Sequence, residues 1–459
     1  MTGMATLTRD LADRFGARLL SAPAACAAYA QSEGPHRFNP PALVARPVDA
    51  AEVCLLMQAA SAAAVPVVAY GAGTSLEGNA AAARPDMLCI DFSGMSRIVD
   101  IRAADMLAVV EPGVTREQLG RELRATGLFF PVDPGADASI GGMISTRASG
   151  TTTVRYGSMR DNVLALKVVT AAGELLATGS HARKSASGYD LTHLFTGAEG
   201  TLGLIVEASV RLHGQPEATV AAVCDFADVG GAVDTVIATI QSGIAIARME
   251  LLDDAAIRAC NAQSGLGLPE RPTLFLEFHG SAGAVAEDCA VVAELSAACG
   301  GANFRTATAA EERSALWTAR HRALWAAKAM IPGAAAWVTD ICVPISALGE
   351  AVTQAKAAIA ASGLFAPIVG HVGDGNFHVL FILPPDDPAS WDQARAINEA
   401  MIAHALSVGG TCTGEHGIGV GKRAAMLREH GGASIAAMRA IKMALDPMGL
   451  LNPGKIFLD

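Results

Sequence analysis

The sequence predicts an α+β protein of two or three domains. The chain has 459 residues, and domains of about 150 residues are common. Hydrophobic residues make up 51% and charged residues only 17%, so the chain can bury a sizeable core and is not intrinsically disordered. Strand and helix patterns alternate along the chain, and the segment 213–217 (His-Gly-Gln-Pro-Glu) interrupts them, which indicates a domain boundary.

The part before this boundary combines short apolar strands with a few helices. A helix is predicted over residues 49–63, because Asp49 is a favourable N-cap residue and apolar residues follow at helical spacing. Residues 115–118 (Thr-Arg-Glu-Gln) form a capping-box pattern for a second helix that ends near Gly127. Strands are predicted at 66–69, 87–91, 107–110 and 204–212, and a hairpin at 162–170 and 175–177.

The part after the boundary predicts an antiparallel sheet with helices on one face. Its strand patterns cover 218–226, 245–252 and 273–279, and its helix patterns cover 231–241, 283–299 and 314–330. Elements in this order are typical of an α+β domain. The last ~45 residues are predicted to be helical and end in the turn-forming segment 447–455.

Composition disfavours several partners and locations. The 45 acidic and 34 basic residues give a net charge of −11, which repels a phosphate backbone, so nucleic acid is not expected as a partner. The nine cysteines are scattered without a C-x-x-C pair, which is typical of reduced thiols in a cytoplasmic protein. The N-terminus has no basic stretch followed by an apolar run, and Pro66 and Gly71 break the uncharged stretch 54–76. We therefore expect neither a signal peptide nor a transmembrane segment, while docking at a membrane surface stays open.

Three segments are unusually rich in glycine and other small residues, namely 71–78, 133–142 with 148–151, and 197–203. Glycine lets the backbone approach a ligand closely and present successive N–H groups to a pyrophosphate. The first segment follows a predicted strand, as a phosphate loop should, but it matches neither the Walker motif nor G-x-G-x-x-G. Any one of these segments alone fits a structural turn. Three of them together favour a large phosphate-bearing cofactor.

These segments resemble those of the FAD-binding oxidoreductases of the vanillyl-alcohol oxidase / p-cresol methylhydroxylase (PCMH) superfamily. Residues 65–75 (Val-Pro-Val-Val-Ala-Tyr-Gly-Ala-Gly-Thr-Ser) are similar to that family's pyrophosphate loop, and residues 133–142 and 149–157 are similar to its isoalloxazine and ribityl contacts. Residues 184–203 are similar to the segment that closes over the adenine half. Members that attach FAD covalently through the pyrophosphate loop carry histidine where this chain has Thr74, so the resemblance implies non-covalent FAD.

The resemblance spans nearly the whole chain and implies a domain organisation. It implies a two-part, PCMH-type FAD-binding domain at 1–215, an α+β substrate or cap domain built on an antiparallel sheet at 216–412, and a tail at 413–459 that returns to complete the active site and the FAD domain. The FAD contacts that it implies are Tyr70, Gly71, Ala72, Gly73, Thr74, Ser75, Pro134, Gly135, Ser139, Gly141, Gly142, Ser149, Gly150, Tyr156, Gly157, Glu199, Gly200, Ile205 and Asn452.

The second half contains a group of histidines and a carboxylate. His371 and His378 flank the turn signal 373–376 (Gly-Asp-Gly-Asn), which can fold both imidazoles toward one point. With Glu415 they would form a tripod suited to Zn²⁺, Mn²⁺ or Fe²⁺. His416, next to Glu415, is the candidate base for removing a hydroxyl proton. From the residues alone, each histidine could instead be a hydrogen-bonded core or turn residue. The resemblance implies the metal and base roles at these positions.

Arg320 lies on the apolar stripe of the predicted helix 314–330, so its guanidinium is expected to face an anion. Spacing leaves open whether that anion is a substrate carboxylate or an internal Asp or Glu. The segment 316–322 resembles the family's substrate-carboxylate arginine and favours Arg320 over Arg322 as the clamp. Leu380 stands where relatives that take 2-hydroxyglutarate are expected to carry a polar residue, which favours a small or apolar substrate side chain.

The resemblance therefore implies a dehydrogenase that depends on FAD and a divalent metal, zinc or manganese. It would oxidise D-2-hydroxy acids such as D-lactate to 2-oxo acids by hydride transfer to flavin N5. The electron acceptor would be a quinone, a cytochrome or an electron-transfer flavoprotein, and a homodimer stays open. Alternatives are a glycolate oxidase flavoprotein subunit, a D-2-hydroxyglutarate dehydrogenase and, from another class, a metallohydrolase, which leaves the glycine-rich first half unexplained.

Overall fold

The computed structural model describes residues 2–32 and 34–458. The helices are α1 (Thr2–Phe15), α2 (Pro23–Ala27), α3 (Ala50–Ala62), α4 (Arg116–Leu123), α5 (Ile140–Thr146), α6 (Thr153–Tyr156), α7 (Met159–Asn162), α8 (Leu191–Phe195), α9 (Val229–Gln241), α10 (Asp254–Ser264), α11 (Ala282–Ala298), α12 (Ala310–His321), α13 (Ala323–Ala329), α14 (Leu348–Ser362), α15 (Pro388–Ser407) and α16 (Arg423–Leu445). The strands are β1 (Leu19–Leu20), β2 (Leu43–Ala45), β3 (Val67–Tyr70), β4 (Leu88–Asp91), β5 (Ile98–Arg102), β6 (Leu107–Val110), β7 (Leu128–Phe129), β8 (Val163–Val169), β9 (Leu175–Gly179), β10 (Leu204–Arg211), β11 (His213–Gly214), β12 (Ala218–Phe226), β13 (Arg248–Leu252), β14 (Thr273–Gly280), β15 (Gly301–Ala307), β16 (Ala335–Val338), β17 (Ile341–Cys342), β18 (Ile368–His371) and β19 (Asn376–Leu383).

The first compact unit contains the N-terminal part up to Ser149, the segment Ser158–Gln215 and the chain from Glu415 onward. One of its sheets has the order β1-β2-β4-β3, in which β2 and β3 run parallel to β4. Another has the order β5-β6-β10-β8-β9 and is antiparallel. Helix α3 belongs to the same apolar cluster as β2 and β4 because Val53, Leu56 and Met57 are buried together, at the helical spacing the sequence shows.

Local sequence signals set the ends of several elements of this unit. The side chain of Asp49 accepts a hydrogen bond from the Glu52 backbone N–H and caps α3, as predicted. The predicted hairpin is present as β8 and β9. Helix α4 begins after Thr115, whose hydroxyl accepts from the Gln118 N–H, but it ends at Leu123 rather than near Gly127. Thr126 is the reason, because its hydroxyl and its N–H both bond to the Leu123 carbonyl and close a turn there.

The second compact unit contains Gly150–Gly157 and Pro216–Gly414. Its sheet has the order β15-β12-β14-β13-β18-β19-β16, with β17 also beside β19, and all of these pairs are antiparallel, as predicted. The single helix predicted over 314–330 is wrong. The chain forms α12 and α13 instead, since it leaves helical geometry at Arg322, and the His321 ring bonds to the Trp317 carbonyl at the end of α12.

Two features of the helices bear on the predictions. Helix α16 is interrupted at Gly431, whose φ of 72° and ψ of 166° are not helical. Among residues 2–32 and 34–458, no helix is both long enough and apolar enough to cross a lipid bilayer.

Candidate active site

A hairpin in the second unit brings His371 and His378 together. They lie at the facing ends of β18 and β19, and the pairs Val369–His378 and His371–Asn376 place both imidazoles on one face. Their ring centroids are 5.4 Å apart at an interplanar angle of 84°. The turn requires Gly375, which has a φ of 77° and where any Cβ would collide with the Val343 carbonyl oxygen. The sequence prediction that this turn gathers the two imidazoles is confirmed.

Hydrogen bonds fix the tautomers of both histidines. Nδ1 of His371 lies 2.8 Å from Oε1 of Glu250, and Nδ1 of His378 lies 2.8 Å from the Thr339 carbonyl oxygen. An ionised carboxylate and a carbonyl oxygen can only accept, so each ring carries a hydrogen on Nδ1, and in its neutral form it has a lone pair on Nε2. Metal-binding histidines show this pattern, in which a carboxylate or carbonyl orients the ring from behind. The donor set therefore fits a divalent cation, although its role as a metal site stays a prediction.

Arg320 lies in the last turn of α12 and is buried, with 8% of its surface exposed. Its Nε and Nη2 lie 2.9 and 2.6 Å from Oε2 of Glu250, the carboxylate whose other oxygen holds His371. An internal carboxylate is therefore one anion that the guanidinium faces. Glu250 escaped the sequence analysis. A usable signal existed, because Glu250 is a charged residue in a predicted strand and stands between the apolar residues Met249 and Leu251, both of which are buried.

Two further side chains of this unit surround the histidines. Asp340 is completely buried and accepts hydrogen bonds from the Asn376 amide (2.8 Å) and the Thr413 hydroxyl (2.7 Å). Leu380 is buried and lies two residues after His378 in β19, so its side chain shares the face of the strand that carries the imidazole. An acidic group and an apolar group thus both border the pair of histidines.

In the first unit, Glu415 and His416 begin the returning C-terminal segment. The Ser149 hydroxyl donates to Oε2 of Glu415 at 2.8 Å, and Nε2 of His416 lies 3.7 Å from Oε1 of the same carboxylate. Immediately beyond His416, the N–H groups of Ile418 and Gly419 donate to the buried carboxylate of Glu199 at 2.7 and 2.9 Å. A second buried carboxylate therefore fixes the segment that carries the candidate base.

Two of the glycine-rich segments meet in the first unit. A Cβ at Gly71 would collide with the Ser139 hydroxyl, although the two residues are far apart in sequence. Gly73 has a φ of 73°, and a Cβ there would collide with the Tyr70 hydroxyl. A side chain at either position would displace its neighbour, so the loop after β3 packs closely against the start of α5, as a pyrophosphate-binding loop requires.

A third segment joins this region through Asn452. Its amide Nδ2 donates to the backbone carbonyls of Asn79 (2.9 Å) and Glu199 (2.7 Å). Both asparagines are buried, and within residues 2–32 and 34–458 no group donates to Oδ1 of either one. Buried acceptors without donors are costly and indicate a ligand that supplies hydroxyl or N–H groups, as the ribose, ribityl and adenine parts of FAD do. The residues therefore fit the cofactor that the sequence implied.

Comparison with known proteins decides the family. A model of the FAD binding domain matches residues 41–179, and a model of the C-terminal domain of FAD linked oxidases matches residues 215–456. The chain belongs to the FAD-linked oxidases. It is thus an FAD-linked oxidoreductase, and the metallohydrolase alternative is wrong.

Named relatives of this FAD-linked oxidase are similar over most of their length. A probable mitochondrial D-lactate dehydrogenase of Danio rerio is 47% identical over 93% of this chain and 86% of that protein. A mitochondrial D-lactate dehydrogenase [cytochrome] of Arabidopsis thaliana is 44% identical, over 91% and 74%. A glycolate oxidase subunit of Bacillus subtilis is 32% identical, over 94% and 92%. The solved structure of p-cresol methylhydroxylase has a TM-score of 0.80 at 16% identity, covers 100% of this chain and 96% of its own, and confirms the predicted fold class.

The remaining predicted FAD contacts of this FAD-linked oxidase lie in several places. The loop after β3 contains Ala72, Thr74 and Ser75, while Pro134 and Gly135 precede α5 and Gly141 and Gly142 lie in its first turn. A turn before β10 contains Glu199 and Gly200, whose φ angles are 52° and 68°. Ile205 is buried in β10. Gly150, Tyr156 and Gly157 belong to the second unit, where the Tyr156 hydroxyl lies 2.8 Å from Nδ1 of His279. These contacts stay predictions.

Proposed function

We propose that this FAD-linked oxidase oxidises D-2-hydroxy acids with a small apolar side chain, D-lactate foremost, to the 2-oxo acids. The observation that carries the proposal is a group of four residues, Arg320, Glu250, His371 and His378. In this group a guanidinium suited to binding a carboxylate is linked through Glu250 to one of two histidines whose Nδ1 hydrogens are fixed by hydrogen bonds. The D-lactate dehydrogenases among the relatives support the same substrate class.

We assign a divalent cation, zinc or manganese, to Nε2 of His371, Nε2 of His378 and the carboxylate of Glu415. Support for the third ligand comes from the chain itself. Gly414 lies against the Asn376 amide so closely that a Cβ there would collide with it, and Glu415 is the next residue. The residue before the proposed third ligand is therefore held against the strand that carries His378.

The residues of the chain divide the work of the reaction. Arg320 has five N–H donors, of which Glu250 engages the Nε and one Nη2 donor, and the others suit the carboxylate of the substrate. His416 removes the proton of the substrate hydroxyl. When bound, FAD accepts the hydride from C2 and the cation polarises the oxygen on that carbon.

Leu380 sets the size and polarity of the substrate side chain in this proposal. It is buried and shares the strand face of His378, so a charged or long polar group on the substrate would lose hydration there without gaining a partner. This favours D-lactate over D-2-hydroxyglutarate. The relatives named D-lactate dehydrogenase [cytochrome] favour a cytochrome as the electron acceptor. A cytoplasmic location and a homodimer stay predictions.

Anaerobic stopped-flow reduction of the flavin tests the proposal. The purified protein should be yellow, and D-lactate should bleach it much faster than L-lactate, glycolate or D-2-hydroxyglutarate. Metal removal by a chelator should abolish bleaching while the flavin stays bound, and added Zn²⁺ or Mn²⁺ should restore it. Equal rates with D- and L-lactate, or undiminished bleaching after chelation, would contradict the proposal.

A further inference from the structure

Glu250 is a buried carboxylate that lies between two of the residues to which the proposed function gives a role, His371 and Arg320. Glu250 is completely buried in β13. Its Oε1 accepts from Nδ1 of His371 at 2.8 Å, and its Oε2 accepts from Nε and Nη2 of Arg320 at 2.9 and 2.6 Å. Each oxygen is thus occupied by a different functional residue.

The sheet register creates this arrangement. In the antiparallel pair β13–β18, Leu251 lies opposite Gly370, so Glu250 and His371, the next residue on each strand, are cross-strand neighbours. Arg320 reaches the same carboxylate from the last turn of α12. A buried charge is tolerated only when its hydrogen-bonding capacity is used, and Glu250 meets that condition through these two partners.

The same carboxylate constrains both partners in a specific way. It keeps the hydrogen of His371 on Nδ1, which leaves the lone pair on Nε2 and makes that nitrogen a better ligand. It also holds one edge of the Arg320 guanidinium, which fixes the plane in which the remaining N–H donors point. A change at Glu250 therefore alters two binding functions at once.

We propose that Glu250 is a positioning residue that couples the metal ligand His371 to the carboxylate-binding residue Arg320. The inference rests on the function proposed above. It adds that the affinity for the metal and the affinity for the substrate are set by one shared group, and that they fall together when it is altered.

The variant E250Q separates this role from simple packing, because glutamine keeps the shape but offers one acceptor and one NH₂ group. The amide oxygen should turn toward the charged Arg320, which leaves the NH₂ facing Nδ1 of His371. That contact forces the hydrogen of His371 onto Nε2 and removes the lone pair that the metal needs. Loss of the negative charge also weakens the hold on Arg320.

The experiment uses the FAD-bound enzyme after metal removal. Zn²⁺ and Mn²⁺ are titrated against a chromophoric chelator, the KM for D-lactate is measured in the reloaded enzyme, and the FAD content is read from the absorbance. For E250Q we expect the metal Kd to rise about 10- to 100-fold and the KM to rise about 10-fold or more, with the FAD content unchanged. The matched control is E277Q, a buried carboxylate of the neighbouring strand β14 that bonds to His279, and its metal Kd should stay that of the wild type.

A second variant keeps the test decisive if E250Q does not fold. E250D retains the charge but is one methylene shorter, so it cannot reach both partners, and at least one of the two constants should rise about fivefold. A wild-type enzyme that binds neither metal, or is not reduced by D-lactate, overturns the proposed function and the inference with it. If the wild type does both and the Glu250 variants keep both constants within about twofold, only the coupling role is overturned.

Discussion

Replacing Glu199 by glutamine tests how the segment that carries His416 is held. The carboxylate of Glu199 accepts from three donors, namely the Asn79 amide at 2.6 Å and the N–H groups of Ile418 (2.7 Å) and Gly419 (2.9 Å). A carboxylate can accept from all three, whereas a glutamine must aim its NH₂ at one of them. The Asn79 amide can turn over to accept from that NH₂, but one backbone N–H then loses its acceptor.

The size of the effect follows from that lost bond. A buried N–H left without an acceptor costs about 1–3 kcal/mol. Burial raises the pKa of Glu199 against the opposing effect of its donors, so the ionised carboxylate is itself held at a cost in solvation that glutamine relieves. We therefore expect E199Q to lower the free energy of unfolding by about 1–2 kcal/mol. The His416 segment should also shift, and a displacement of about 1 Å can slow a reaction 100-fold.

Urea unfolding and stopped-flow flavin reduction by D-lactate measure the two effects. The control is E207Q on β10, which loses only a partly exposed ion pair with Lys167 and should change the free energy of unfolding by less than about 1 kcal/mol. Reduction by E207Q should keep the wild-type rate. An E199Q protein with the unfolding midpoint and reduction rate of the wild type would refute the idea that this carboxylate holds the segment.

Three other variants give separate outcomes. H416A should slow flavin reduction by about 10²- to 10⁴-fold while the FAD content stays at the wild-type level, and undiminished reduction would remove the base role. L380N should shift the ratio of kcat/KM for D-2-hydroxyglutarate over D-lactate upward, and a lower or unchanged ratio would show that Leu380 does not select the side chain. Burial lowers the pKa of Lys455 to about 8, whereas its ordinary pKa in the unfolded chain is 10.5. Between these two pH values the unfolded chain therefore binds one proton more than the folded protein. The stability of the wild type relative to K455M should therefore rise by about 3 kcal/mol from pH 7 to pH 10.5 in urea unfolding, and a difference that stays constant over this range would contradict the assignment.

Local signals explain why parts of the site could be predicted from the sequence. The turn between His371 and His378 depends on Gly375, whose backbone conformation and crowding exclude a side chain, and its neighbours in sequence already favour a turn. The Asp49 cap and the hairpin of β8 and β9 likewise depend on residues close together in the chain. Where such signals compete, the prediction fails, as when Thr126 closes a turn before α4 reaches Gly127.

Contacts that depend on strand order could not be predicted in this way. Glu250 is 121 residues from His371 and 70 from Arg320; the pairing of β13 with β18 brings it beside His371, and the packing of α12 brings Arg320 to it. A strand pattern gives the face of each residue but not its neighbour across the sheet, so a register of one residue more or less would turn Glu250 away from both partners. The contact of Gly71 with Ser139 is hidden for the same reason, since their segments come together only in the folded unit.

Arg320 shows how far a sequence pattern constrains chemistry. Its position on a buried helical stripe implies an anion, because an arginine without one would be too costly to bury, but the pattern does not say which anion. The internal carboxylate and the substrate carboxylate were alternatives at that level. With a planar group of five donors they need not exclude each other, because Glu250 engages one edge of the guanidinium and orients the rest. Under the proposed function, the ion pair with Glu250 would hold Arg320 in place for the substrate carboxylate rather than prevent it from binding one.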